Sequence, residues 1–485
     1  MAASRLPFAF ARDHQVIVDA GSLYCGPDAS ITGMREARRR TGETLDVTRV
    51  SAEDFARQLS VNYNTSNEDA PGDQELTFSL EDGETPSKQA RDLLENEADA
   101  PVIQLVNQVL RRAVQAGSSD LHVEPHEAGI RARMRVDGFL RTEFDRSDVP
   151  VRRVVSRLKV MAGLDIAETR LPQDGHIAVR MGGRAIDIRV STLPGNHGER
   201  VVMRLLDRSE GLMPLDQLGL LPEQITQLEQ LAARPNGIIL ATGPTGSGKT
   251  TSLYSLLKLA NSEERNIVTV EDPVEYDLPG ISQTQINAEI GMTFAAGLRA
   301  TLRQDPDIIL VGEIRDAETA STAAQAALTG HLVFSSLHAN GSTAAITRLR
   351  DLGLDDYLIS STLRGVIAQR LLRRLCPDCR VPAAPNAQER ALFTDLGMAV
   401  PDQVFTAGSG CVTCDHTGFN GRVGIFETAT VSDEMRQAIS EGKSEQALLD
   451  LAVTPRETLL GRALRAVEQG QTTIAETLRV VGDRV

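Results

Sequence analysis

The sequence predicts an α/β protein whose main domain is built on a parallel-rich sheet, preceded by an α+β domain and a small N-terminal domain. Three observations predict this. From about residue 237, short apolar strands alternate with helical stretches ("GIILAT", "NIVTVED", "DIILVGE", "HLVFSSLHA"), as in parallel strands covered on both faces. Earlier, "IRARMRVDGFLRT" alternates Ile130, Met134 and Val136 with Arg131, Arg133 and Arg135, then turns at Asp137-Gly138, which reads as a hairpin. The chain, at 485 residues, is also too long for one ordinary core.

Taken in order, residues 1–61 read as a small mixed unit with a strand-like "QVIVDA" and a helix-like "MREARRR". Residues 62–88 are polar and acidic ("NTSNEDAPGDQE") and read as a flexible linker, because little apolar surface is available to offset ordering. The α+β domain spans 89–207. In it "APVIQLVNQVLRRAVQAG" puts Val102, Ile103, Val106, Val109, Leu110 and Val114 on one helical stripe, with Gly117 as its C-cap. A second helix, "VRRVVSRLKVMAG", precedes the strands "HIAVRM", "AIDIRVSTL" and "RVVMRLL". Residues 208–220 read as a connector, and 221–485 as the parallel-sheet domain.

Composition narrows the partners. The 41% apolar and 24% charged residues are ordinary for a soluble globular chain. A net charge of −15, 4% aromatics and no Trp disfavour a nucleic-acid partner, which needs a basic surface and stacking rings. The N-terminus lacks the apolar core of a signal peptide. No stretch approaches the roughly 18 apolar residues of a spanning helix. The expectation is a cytoplasmic protein that reaches membranes only through partners.

"GPTGSGKTT" comprises Gly243, Pro244, Thr245, Gly246, Ser247, Gly248, Lys249, Thr250 and Thr251. It fits the phosphate-binding loop G-x-x-x-x-G-K-[ST], and it follows a strand and opens a helix, as the motif requires. Its glycines let backbone N–H groups approach phosphates, and the helix N-terminus favours negative charge. Lys249 is then expected on the β- and γ-phosphates of ATP, and the Thr250 hydroxyl on Mg2+. Strand ends supply acids: Glu271 and Asp272 close "NIVTVED", and Glu313 follows "DIILVG", where Gly312 occupies the place of the usual metal-holding Asp. In a parallel sheet such ends line the ligand crevice.

Arg299 and Arg303 are expected four apart on one helical face ahead of Asp305-Pro306. For any one arginine a solvated charged face is the plain alternative. His331 and His338 bracket an extended segment and need not share a face; a buried, hydrogen-bonded histidine is the common fate of each. His122 and His126 in "HVEPH" are read as structural.

Of five cysteines, Cys25 stands alone, whereas Cys376, Cys379, Cys411 and Cys414 form two C-x-x-C pairs. Such pairs make a tetrahedral four-cysteine site for Zn2+, and a zinc saturated by four thiolates is structural. The module, about 374–422, is expected as an insertion in the parallel-sheet domain. A redox pair is the alternative for a single C-x-x-C, and the nearby His416 is not needed.

From about residue 89 onward, "SSDLHVEP", "RLPQDGHI", "RVSTLPGNHGERVVMRLL", "GPTGSGKTT", "TVEDPVEY", "LRQDPDIILVGEIRD" and "TGHLVFSSLHAN" resemble, in order and spacing, the motors of type II secretion and type IV pili. The resemblance implies a RecA-like P-loop ATPase domain, a PAS-like domain before it, and a homo-hexamer. It implies Glu313 on magnesium, Glu271 orienting or deprotonating the attacking water, and His338 at the γ-phosphate. It also implies that Arg189, Arg204, Arg299 and Arg303 approach the nucleotide across a domain or subunit interface. The tetracysteine module and short N-terminal unit resemble the type II secretion branch. There the N-terminal domain docks on the cytoplasmic domain of an inner-membrane platform protein, beside a polytopic inner-membrane platform protein. A pilus-assembly ATPase is the alternative. A nucleic-acid translocase of the same fold and a non-hydrolysing scaffold are weaker readings.

Overall fold

The computed structural model describes residues 11, 14–19, 22–27, 29–41, 46–51, 54–55, 76–79, 100–181, 184–207 and 213–482. Two compact units divide the chain, one up to Thr77 and one from Phe78. In the first, strands Val16–Asp19 and Ser22–Cys25 pair antiparallel, and Asp46–Arg49 joins the second in parallel. Val16, Val18, Leu23, Cys25 and Ala37 of the helix Ile31–Thr41 share a small core. Most of the expected linker lies outside the described residues. Within it stands a short strand, Leu76–Ser79, where "LTFS" interrupts the acidic run with alternating apolar residues.

The second unit starts with the α+β domain. Its strands run in the order Gln173–Met181, Arg184–Leu193, Arg200–Asp207, Asp120–His126, Gly129–Val136, Phe139–Arg146. The pairs along this order are antiparallel. The period of two divides the faces. Ile130, Ala132 and Met134 are buried, whereas Arg131, Arg133 and Arg135 point the other way. On the apolar face, Leu121, Val123 and Met203 meet Val106, Val109 and Leu110 of the helix Ala100–Gln115, and Val154 and Leu158 of the helix Val151–Met161. The other face carries a cross-strand row in which His176 opposes Arg189, Arg189 opposes Arg204, and Arg204 opposes Asp120.

In the larger domain the order is Ser282–Gln285, Ile267–Glu271, Ile308–Val311, Leu332–Leu337, Gly237–Thr242, Leu363–Leu375, Phe419–Thr430. All neighbours are parallel except the last pair, which is antiparallel. Alternate residues of one strand enter different cores. Ile238 and Leu240 pack on one side with Leu298, Ala323 and Ile346. Ile239 and Ala241 pack on the other with Leu228, Tyr254 and Leu257. The sheet is therefore buried on both faces, and its strands read as continuous apolar runs. Leu215 and Leu220, from the expected connector, belong to the second of these cores. The last two strands bracket the cysteine module, which folds as a hairpin, Val381–Ala383 with Val404–Thr406, and a helix, Ala387–Asp395.

Candidate active site

The phosphate loop leaves the central strand Gly237–Thr242 and enters the helix Lys249–Ala260. Two glycines are sterically required. At Gly243, φ 150°, a Cβ would lie 2.5 Å from Ser247 Oγ and 2.6 Å from the Gln369 carbonyl. At Gly248, φ 89°, it would lie 2.7 Å from Gln369 Nε2. Positive φ with crowding on both sides leaves glycine alone able to serve. Pro244, Thr245 and Gly246 form the exposed lip, and Ser247 is buried beneath it. Lys249 Nζ donates to the carbonyls of Gly243 and Pro244 at 2.9 and 3.0 Å. Burial pushes its pKa down, the Glu313 carboxylate opposes that, and the Arg370 charge adds to the lowering.

Glu313, just beyond the strand Ile308–Val311, is within 3.5 Å of His338 Nε2 and pairs with Arg315. The strand Leu332–Leu337 stands between it and the phosphate-loop strand, and His338 follows it directly. That same strand separates His331 from His338. His331 Nδ1 lies 2.9 Å from the Ala326 carbonyl, a structural contact at the opposite end. Thr250, exposed in the first turn of its helix, and Glu313 carry oxygen donors of the kind that magnesium takes.

Glu271 has a different setting. It ends the strand Ile267–Glu271 at 3% exposure. Its Oε2 accepts from the Tyr254 hydroxyl, and its Oε1 accepts from Thr269 Oγ1 and, at 3.1 Å, from Gln283 Nε2. Asp272 is exposed. The three acids of the two strand ends are therefore divided between a buried network and an open edge.

The arginines lie apart from the loop. Arg189 reaches Glu275 Oε2 at 3.2 Å, bridging the two domains of this unit. Arg204 donates to Asp120 Oδ1 at 3.2 Å, and Arg299 pairs with Glu318. The expected common helical face for Arg299 and Arg303 is shortened, since the helix runs Phe294–Thr301. Arg303 lies in the following turn and donates to the Arg299 carbonyl at 2.9 Å. Asp305, at φ 51° before Pro306, lies beyond the end of the helix.

Sequence reasoning overlooked several residues. Besides Arg315, Tyr254 and Gln283, these are the anchors of the loop after His338. Arg370 donates to the Asn340 carbonyl at 3.1 Å. Glu427, buried, accepts from Ser342 N at 2.8 Å and Leu459 N at 3.0 Å. A buried Glu in "RVGIFETAT" was the one available signal.

The four cysteines converge. Cys376 and Cys411 sulfurs are 3.7 Å apart, Cys379 and Cys414 3.8 Å, and Cys411 and Cys414 3.8 Å. Zinc bonded to four sulfurs at about 2.3 Å spaces them by about 3.8 Å, so the donor set fits that metal. The Cys411 N–H, donating to Cys414 Sγ at 3.2 Å, and that of Gly418 pull the Cys414 thiol down to about 6 against its burial. Among the described residues these cysteines are the one group of metal-type donors gathered this closely. His122 and His126 do not join: His122 accepts from Arg200, and His126 pairs with Asp145.

Residues 95–479 match the family model described as type II/IV secretion system protein. The chain belongs to that family. Residues 5–63 of this secretion-system protein match the model of an N-terminal domain of GSPII protein E. It is 48% identical over 486 residues to type II secretion system protein E of Dickeya dadantii, covering 98% of this chain and 96% of that one. It is 46% identical over 489 residues to type II secretion system ATPase E of Vibrio cholerae, with the same coverage. Among solved structures, the pilus retraction motor PilT with bound ADP aligns with TM-score 0.52 and 26% identity, over 76% of this chain and 95% of that one. The Legionella pneumophila ATPase DotB aligns with TM-score 0.56 and 23% identity, over 77% and 94%, a likeness of fold. No described helix of this family member is long and apolar enough to cross a membrane.

Proposed function

We propose that this chain is the ATPase motor of a type II secretion system, hydrolysing ATP to drive pseudopilus assembly and protein export. The observation that carries the reading is the near-full-length similarity to type II secretion ATPases, including the match of the N-terminal domain, which favours secretion over pilus assembly. It acts at the inner membrane through partners. Residues 1–61 dock on the cytoplasmic domain of a platform protein, next to a polytopic platform component.

In this reading Gly243–Thr251 hold the triphosphate, with Lys249 exchanging its loop carbonyls for phosphate oxygens. Thr250 and Glu313 would hold magnesium, which supplies charge neutralisation on the transferred phosphoryl group. Glu271 orients or deprotonates the water, and His338 addresses the γ-phosphate. Arg189, Arg204, Arg299 and Arg303 stabilise the developing charge, each leaving an acidic or carbonyl partner as copies close into a hexamer. An inserted arginine contributes about 10³–10⁵ in rate, so hydrolysis depends on assembly. The four cysteines would hold zinc as a structural cross-link.

The test is ATP turnover by the full chain, alone and with the cytoplasmic domain of the platform protein. Weak activity alone and stimulation on assembly are expected. Full activity in a dilute monomer contradicts the reading.

A further inference from the structure

Tyr254 is fully buried in the helix that the phosphate loop opens, and its hydroxyl is hydrogen-bonded on both sides. It donates to Glu271 Oε2, and it accepts the Glu275 N–H at 3.2 Å. A carboxylate offers about four acceptor positions. Thr269 and Gln283 fill those on Oε1, and Tyr254 takes one on Oε2. The position left over for a water is therefore on the oxygen that Tyr254 holds, and the tyrosine fixes its direction. The edge-on Tyr276 ring, with centroids 6.1 Å apart, keeps the phenol from swinging. Glu275, whose N–H reaches the hydroxyl, is also the residue that Arg189 of the preceding domain grips.

We infer that Tyr254 is a positioning residue for ATP hydrolysis: its hydroxyl aims the free acceptor site of Glu271 and ties that carboxylate to the backbone at Glu275. This rests on the reading of Glu271 as the residue that handles the water. A tyrosine in an amphipathic helix is ordinarily core filling. What separates it here is a hydroxyl spent on a buried acid at a strand end rather than on the helix's own backbone.

The test compares Tyr254→Phe, Thr269→Val and Glu271→Gln in the full chain, measuring kcat and KM for ATP and the binding of a non-hydrolysable analogue. Thr269→Val also removes one buried hydroxyl from the same carboxylate, but on Oε1, where Gln283 remains. Tyr254→Phe is expected to lower kcat by about tenfold or more, with KM and analogue affinity within about twofold. Thr269→Val, which loosens the same carboxylate from its other oxygen, is expected to lower kcat clearly less than Tyr254→Phe does. Equal losses in the two variants, or a wild-type kcat in Tyr254→Phe beside an inactive Glu271→Gln, overturn the inference. Wild-type turnover in Glu271→Gln instead overturns the assignment of Glu271, whatever Tyr254 does. If Tyr254→Phe does not fold, 3-fluorotyrosine at position 254 keeps the ring and the hydroxyl, makes that hydroxyl more acidic, and adds one small fluorine beside it. Kcat is then expected to change at constant KM, and an unchanged kcat counts against the inference.

Discussion

Phe139, at the hairpin of the α+β domain, lies under the guanidinium of Arg373 from the sheet of the larger domain, 3.9 Å from ring centroid to charge. Arg479 approaches the same ring at 4.7 Å, and Arg373 also covers Phe419 at 3.9 Å. Beside it the Asp137 carboxylate accepts the Gly421 N–H at 3.1 Å and faces Arg422 at 3.7 Å. One hairpin tip therefore links the two domains through cation–π and charged contacts. Phe139→Ala is expected to cost about 1–2 kcal/mol in a denaturant titration. The zinc content should stay the same, since the ring does not touch the cysteines.

The acid that holds those two arginines sets a pH dependence. Glu476 has a side chain 1% exposed and bonds to Arg373 and Arg479. Burial alone would raise its pKa, but the hydrogen bonds from Arg479 and Arg373 outweigh it and bring the group from 4.5 to about 2. A folded value below the unfolded one means that the stabilisation is fully present above about pH 4.5 and is lost as pH falls toward 2. Its size is on the order of 3 kcal/mol. Urea midpoints measured across that window should fall more steeply for wild type than for Glu476→Gln; parallel curves would refute the assignment.

Glu427 anchors the loop that follows His338. Glu427→Leu strands the Ser342 and Leu459 donors in a buried place, at an expected cost of about 1–3 kcal/mol for each. The expected kinetic sign is a fall in kcat larger than any change in analogue binding, because the phosphate loop itself keeps its contacts. An unchanged kcat in a folded variant would show that the loop does not need this anchor.

For the cysteine module, wild-type protein should carry about one zinc per chain, and Cys376→Ser should carry little or none. Protection of residues 374–422 from proteolysis should be lost in the variant, whereas ATP-analogue binding persists at the phosphate loop. Metal-free wild-type protein with an intact module would contradict this.

What was legible in the chain was what neighbours in sequence determine. The phosphate loop carries its whole geometry in nine consecutive residues, and its flanking strand and helix follow from a change of apolar period. The two C-x-x-C pairs are likewise local turns, and only their convergence is tertiary. The setting of Glu271 was not legible: Tyr254 and Gln283 reach it from another helix and an edge strand, and no spacing relates them. The same holds for Arg189, whose partner Glu275 is far along the chain in another domain. The helix that ends at Thr301, short of Arg303, shows that two charges spaced four apart do not by themselves carry a helix onward. Strand order is the remaining case, because a sequence shows that strands alternate with helices but not that Leu332–Leu337 inserts between the strands carrying Glu313 and the phosphate loop.

The most direct test of the whole account is a structure of the full chain with magnesium and a non-hydrolysable ATP analogue. The expected result has the β- and γ-phosphates within the N–H groups of residues 246–251, with Lys249 turned from the Gly243 and Pro244 carbonyls onto phosphate oxygens. An analogue bound elsewhere, with Lys249 still on those carbonyls, would contradict it.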